Sequence, residues 1–136
     1  LFNPAQSGEL AVTHLCRKDT LICDDSNMAQ RQIRKNLPEN WQVDISYASD
    51  GKEALEYIRA GKGEVVFLDL TMPVMNGYEV LAQLQKENHK CVVFVVSADV
   101  QPQAIDRVKE MGAAEFFGKP IDKEILLERL RVHGLI

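Results

Sequence analysis

From Thr20 onward, short apolar runs alternate five times with stretches whose apolar residues recur every three or four positions. The first kind of pattern suits a strand buried on both faces and the second an amphipathic helix. Leu21-Ile22-Cys23 is the first apolar run, and Ser26 is placed to cap a helix that carries Met28, Ile33 and Leu37 before Pro38. Val43, Ile45 and Tyr47 alternate as in a second strand. Asp50, followed three residues on by Glu53, opens a helix with the stripe Ala54, Leu55 and Ile58, which Gly61 and Gly63 close. The third strand is Val65 to Leu68, and a loop holding Pro73 and Gly77 leads to a helix with Val80, Leu81 and Leu84. Cys91 to Val96 forms a fourth, almost wholly apolar strand ending in Ser97. A helix with Ala104, Ile105, Val108 and Met111 stops at Gly112, and Ala114 to Phe117 is the short fifth strand. Asp122 caps the last helix, with Ile121 and Leu126 spaced as a hydrophobic staple around it.

This rhythm predicts an α/β fold, a parallel five-stranded sheet covered by helices on both faces. With 136 residues the chain fits one ordinary domain with a sizeable core, and no apolar run is long enough to cross a bilayer. The net charge of −4, with no dense cluster of Lys and Arg, argues against direct nucleic-acid binding, and without a spanning run no membrane partner is expected. Cys16, Cys23 and Cys91 make neither an even disulfide set nor a paired metal motif, so they are expected to be reduced and the protein cytoplasmic. His14, His89 and His133 are too scattered for a metal site, and Trp41 is expected to pack at an edge. Residues 1–17 are set apart as an N-terminal extension, vector-derived or the edge of a fragment.

The candidate chemistry lies at the ends of the apolar runs. Asp24 and Asp25 follow the first, Asp69 the third, Ser97 ends the fourth and Lys119 follows the fifth. In a parallel sheet these ends share the carboxyl edge, where open α/β sheets keep their ligand sites. Three carboxylates about 5 Å apart repel by roughly 1 to 3 kcal/mol per pair at an effective dielectric near 20, so the cluster calls for a cation. Hard oxygen donors suit Mg²⁺, with Asp25 and Asp69 binding directly and Asp24 through water. A carboxylate is also a nucleophile that forms an aspartyl-phosphate, and Asp69, central in the sheet, is the candidate. Lys119 pairs with a carboxylate at rest and with a phosphoryl oxygen afterwards, while Ser97 donates a hydrogen bond to another. The simpler readings are helix capping for Asp24, a strand-end turn for Ser97 and plain core for Phe116.

The acidic pair Asp24-Asp25, the run from Asp69 through Pro73 to Gly77, Ser97-Ala98 and Lys119-Pro120 together resemble the receiver domain of two-component response regulators. The resemblance runs from about Thr20 to Ile136, so residues 18–136 are assigned to that domain. It implies a flavodoxin- or CheY-like (βα)5 doubly wound sheet of strand order 2-1-3-4-5. It further implies that Asp69 accepts a phosphoryl group from a sensor histidine kinase or phosphotransfer protein, with Mg²⁺ held by Asp25, Asp69 and the backbone carbonyl of Thr71 and supported by Asp24. Ser97 and Phe116 are the implied switch pair, Phe116 standing where a tyrosine is usual. Ala98 keeps the pocket open, Thr71 and Asp99 tune phosphoryl lifetime, and the Lys119-Pro120 bond is expected to be cis. The output passes to a downstream protein or a fused output domain, and the chain catalyses its own phosphorylation without being a turnover enzyme. An aspartyl-phosphate phosphohydrolase is the first alternative, although such enzymes carry a second acid where this chain has Thr71. A phosphorylation-independent interaction module is the second.

Overall fold

The computed structural model describes residues 18–136, so the N-terminal extension, with Cys16 and His14, lies outside the described residues. Strands β1 (Lys18–Cys23), β2 (Val43–Ala48), β3 (Val65–Leu68), β4 (Val92–Ser97) and β5 (Glu115–Gly118) alternate with helices α1 (Asn27–Asn36), α2 (Gly51–Arg59), α3 (Gly77–Lys86), α4 (Pro102–Glu110) and α5 (Lys123–Val132). All pairings are parallel and the order is β2-β1-β3-β4-β5, as expected. Observed ends differ from the sequence reading by one to three residues: β1 starts at Lys18, and β5 runs from Glu115 to Gly118.

Period-two alternation divides the core between the two faces of the sheet. Leu21, Cys23, Val66, Leu68, Val93 and Val95 pack with Leu55, Ile58, Val80, Leu81 and Val108 of α2, α3 and α4. Ile22, Val65, Phe67, Phe94, Val96 and Phe117 pack with Ile33 of α1 and Leu126 and Leu130 of α5. Phe94 sits at the centre of this second layer, 5.5 Å from the Phe67 ring and 5.7 Å from the Phe117 ring. Truncating it to alanine removes a fully buried ring, a change that costs about 3 to 5 kcal/mol. Ile121 and Leu126 are both buried in this layer, as the staple around the Asp122 cap requires.

Two local expectations are corrected. Met28 is 77% exposed rather than part of the α1 stripe. At about 100° per residue it stands roughly 140° around the helix from Ile33, and the buried line is instead Gln30, Ile33 and Leu37. Asp50 caps α2 by accepting from the Glu53 amide at 2.8 Å, but the Glu53 carboxylate turns back to the Ser49 amide rather than to Asp50. The reciprocal capping box occurs at α3, between Asn76 and Glu79.

Candidate functional site

Register brings the acids together. Cys23 pairs with Leu68, so Asp24 and Asp69 leave neighbouring strands at the same level. The backbone then locks that level: the Asp69 amide donates to the Cys23 carbonyl at 3.0 Å, and the Asp24 amide to the Ala48 carbonyl at 3.0 Å. One carboxylate oxygen from each of Asp24, Asp25 and Asp69 lies within 4.8 Å of the others. Asp24 is 1% exposed and Asp69 4% exposed, whereas Asp25 faces solvent.

Lys119 arrives from the far side of the sheet. Its amide donates to the Ser97 carbonyl at 2.9 Å, continuing the β4–β5 pairing by one residue, and its bond to Pro120 is cis, as expected. Its Nζ donates to Asp24 Oδ2 at 2.8 Å and to Asp69 Oδ1 at 3.3 Å. The other Asp24 oxygen accepts from the Ser26 amide at 2.9 Å, so Asp24 also holds the turn into α1, where Ser26 rather than Asp24 is the cap. The other Asp69 oxygen accepts from the exposed hydroxyl of Thr71 at 3.3 Å.

Burial and the negative charge of Asp24 together push the Asp69 carboxyl above the usual carboxylate range, and Lys119 and Thr71 offset this only in part. Lys119 moves the opposite way in effect: burial disfavours its charge, but Asp24 and Asp69 outweigh that and hold the ammonium above its ordinary value. Three hard oxygen donors, one of them open to solvent, beside an excess of negative charge fit a divalent cation that keeps water ligands.

Ser97 is buried at the end of β4, and its Oγ accepts from the Asp99 amide at 3.1 Å. That bond makes it a turn former while leaving its own proton free to donate. Among the described residues no hydrogen bond joins Ser97 Oγ to a carboxylate of the cluster. Phe116 is half-buried and packs against the core layer shared with α2, α3 and α4, while its neighbour Phe117 fills the opposite layer. Ala98 is exposed beside Ser97.

One supporting residue was not singled out from the sequence. Gln30 is buried on the inner face of α1 and donates from Nε2 to the Asp24 carbonyl at 2.7 Å, pinning the acidic turn to the helix. The signal was a polar residue spaced with Ile33 and Leu37 on an otherwise apolar face.

A family model described as the response regulator receiver domain matches residues 20–131. The chain belongs to that family. This receiver domain of two-component signalling is 32% identical over 118 residues to a part of the peroxide stress-activated histidine kinase mak3 of Schizosaccharomyces pombe, covering 81% of this chain and 5% of that protein. It is 35% identical over 117 residues to protein-glutamate methylesterase/protein-glutamine glutaminase 3 of Geobacter sulfurreducens, covering 83% of this chain and 31% of that protein. The chain therefore spans less than a third of either relative. Among solved structures, a chain of the CheX-CheY-BeF3-Mg+2 complex from Borrelia burgdorferi matches with a TM-score of 0.77 and 29% identity, over 85% of this chain and 89% of that one. Receiver domains are in general signalling switches, although some relatives carry a methylesterase as well. None of the described helices is long and apolar enough to cross a membrane.

Proposed function

We propose that residues 18–136 form a receiver whose Asp69 takes a phosphoryl group from a histidine of a sensor kinase or phosphotransfer protein in the cytoplasm. The observation that carries this reading is the Lys119 ammonium bridging Asp24 and Asp69 beside the exposed Asp25. An oxygen of Asp69 attacks the phosphorus, the P–N bond to the donor imidazole breaks as the P–O bond forms, and the imidazole nitrogen leaves with the electron pair. Asp25, Asp69 and the Thr71 carbonyl would hold Mg²⁺, supported by Asp24; when bound, the ion neutralises charge on the phosphoryl oxygens.

Lys119 is then attracted to the new dianion, and the free proton of Ser97 has an acceptor. The two groups are drawn toward Asp69 from β4 and β5, and Phe116, half-buried on β5, follows Ser97 as its switch partner. A downstream protein or a fused output domain reads the resulting change, and the domain turns over no external substrate beyond its phosphodonor.

Intact mass after incubation with acetyl phosphate tests the proposal. One phosphoryl group gained with Mg²⁺, absent in EDTA and absent in Asp69→Asn, is the expected result. An unmodified chain with the donor unconsumed points to an interaction module that works without phosphate; steady donor hydrolysis without an adduct points to a phosphohydrolase.

A further inference from the structure

At the opposite edge of the sheet lies a groove of about 470 Å³ that has no part in the phosphoryl chemistry. Its wall is Arg31, Arg34 and Lys35 from the last turns of α1, and its apolar floor is Trp41 with Val43 and Ile45 of the edge strand β2. Val43 begins β2, and the strand runs about 17 Å before it reaches the level of the acidic site at about 3.3 Å per residue.

Three features set this groove apart from an ordinary solvated surface. First, the cations stand at positions i, i+3 and i+4, so all three rise from one face of α1 within little more than a turn. Second, among the described residues none of the three is paired with a carboxylate, and Glu39 is the single acid in the lining. Arg34 Nη1 donates to the Tyr47 hydroxyl at 2.9 Å, which orients the guanidinium without placing a carboxylate beside it. In a chain of net charge −4, this is a local reversal of sign. Third, the Trp41 indole N–H is already spent on the Leu135 carbonyl at 3.0 Å, which fixes the ring and leaves it apolar contacts to offer.

A concave site with an apolar, aromatic floor and a few convergent polar groups is the usual form of a small-molecule site, and its volume falls in the range of about 300 to 1,000 Å³. Guanidinium forks match phosphate oxygens in pairs, and an indole stacks with planar rings. We infer that this groove binds an aromatic phosphate ester of nucleotide size, its phosphate on Arg31, Arg34 and Lys35 and its ring against Trp41. Three cations within little more than one helical turn favour one phosphate over the spaced carboxylates of an acidic peptide.

Trp41 is the sole tryptophan of the chain, so its emission reports on this groove alone. The full chain would be titrated with AMP, GMP and UMP in EDTA, which prevents a divalent ion from bridging nucleotide to the carboxylates. Adenosine, inorganic phosphate and penta-glutamate are the comparison probes. The expected result is a saturable change in emission with at least one nucleotide, at a midpoint about tenfold or more below those of adenosine and phosphate. Arg31→Ala/Arg34→Ala weakens it by about tenfold with an unchanged far-UV circular dichroism spectrum, and Lys35→Glu, a single exposed change, weakens it independently. No saturable response to any nucleotide, an equal response to phosphate or to penta-glutamate, or full binding by the folded charge variants would overturn the assignment.

Discussion

The ammonium of Lys119 lies nearer to Asp24, at 2.8 Å, than to Asp69, at 3.3 Å. At rest, therefore, its shorter bond is to the supporting acid rather than to the proposed acceptor. A cation entering the cluster meets a positive charge already in place, and the two compete for the same carboxylates. Lys119→Met is expected to tighten Mg²⁺ binding by about threefold or more, equivalent to roughly 0.7 kcal/mol, a modest fraction of the unscreened repulsion. The same variant is expected to accept phosphate poorly, since the new dianion loses its partner. Isothermal calorimetry of Mg²⁺ binding, set beside intact mass after acetyl phosphate, checks both directions at once.

The ionised Asp69 carboxylate weakens the native state. Its carboxyl is held above the usual range by burial and by Asp24, so the folded chain favours the protonated form more than the unfolded chain does. Above the folded pKa both states are ionised and the cost is borne by the fold alone; stability is recovered as pH falls through the folded pKa toward the unfolded one. In EDTA at neutral pH, Asp69→Asn should raise the melting temperature, by an amount equivalent to about 1 kcal/mol, and the advantage should shrink near pH 4. Adding Mg²⁺ should stabilise the wild type more than the variant. A variant that melts lower than the wild type in EDTA would show that its bonds to Lys119 and Thr71 outweigh the repulsion.

The strand ends were legible because each chemical residue follows an apolar run directly, and parallel pairing leaves little freedom over where such residues meet. Asp24, Asp69 and Lys119 needed no more than that. Gln30 and the Thr71 hydroxyl were harder to find, because each acts through one hydrogen bond that depends on how a helix or loop lies over the sheet. Met28 is apolar and near the start of α1 but lies off the stripe through Ile33 and Leu37, so its residue type alone misleads. Arg31, Arg34 and Lys35 do not stand out in the sequence, because only the fold sets them over Trp41 and the β2 edge.

Arg59 and Glu87 join the end of α2 to the end of α3 through two hydrogen bonds, and His89 and Gln83 add to the same carboxylate. The Arg59 hydrogen bonds lead in holding the Glu87 carboxyl well below the usual range. A carboxyl depressed in the fold contributes stability that is complete above its unfolded pKa, near 4.3, and that is lost as pH falls through the lower folded value. Denaturant unfolding between about pH 6 and pH 2 should therefore lose less stability in Arg59→Ala than in the wild type. An identical acid slope in the two proteins would mean that the pair is fully screened by solvent.

Val74 is a β-branched residue at φ 67°, in a turn closed by the Met75 amide donating to the Pro73 carbonyl at 2.7 Å. A positive φ closed by an i to i+2 hydrogen bond is the rarer, strained form of γ-turn, which costs an L residue about 1 to 2 kcal/mol and which glycine adopts most readily. Val74 is also exposed, so its replacement gives up little buried surface. Val74→Gly is expected to gain up to about 1 kcal/mol in urea unfolding, with the slope against denaturant unchanged. A loss of stability would mean that the exposed valine packs on something its conformational cost conceals.

Gly77 shows how closely α3 is pressed against the proposed acceptor. It is the first helical residue after the Asn76 cap, and its amide donates to the Leu70 carbonyl at 3.0 Å. A Cβ at this position would stand 2.4 Å from the Asp69 carbonyl oxygen and 2.8 Å from the Leu70 Cα. Both are backbone atoms, so no rotamer change relieves the clash: either the helix start retreats or the Asp69 peptide shifts. Gly77→Ala should cost about 1 to 3 kcal/mol or more by overpacking and should slow phosphoryl transfer at concentrations where the protein remains folded. Gly61→Ala separates this steric effect from backbone preference, because Gly61 has φ +80° with nothing within 4 Å of its added Cβ. It should lose about 1 kcal/mol from conformation alone and leave acceptance of phosphate unchanged. Equal losses of phosphorylation in the two variants, measured by intact mass in the folded range, would break the link between the Gly77 contact and the position of Asp69.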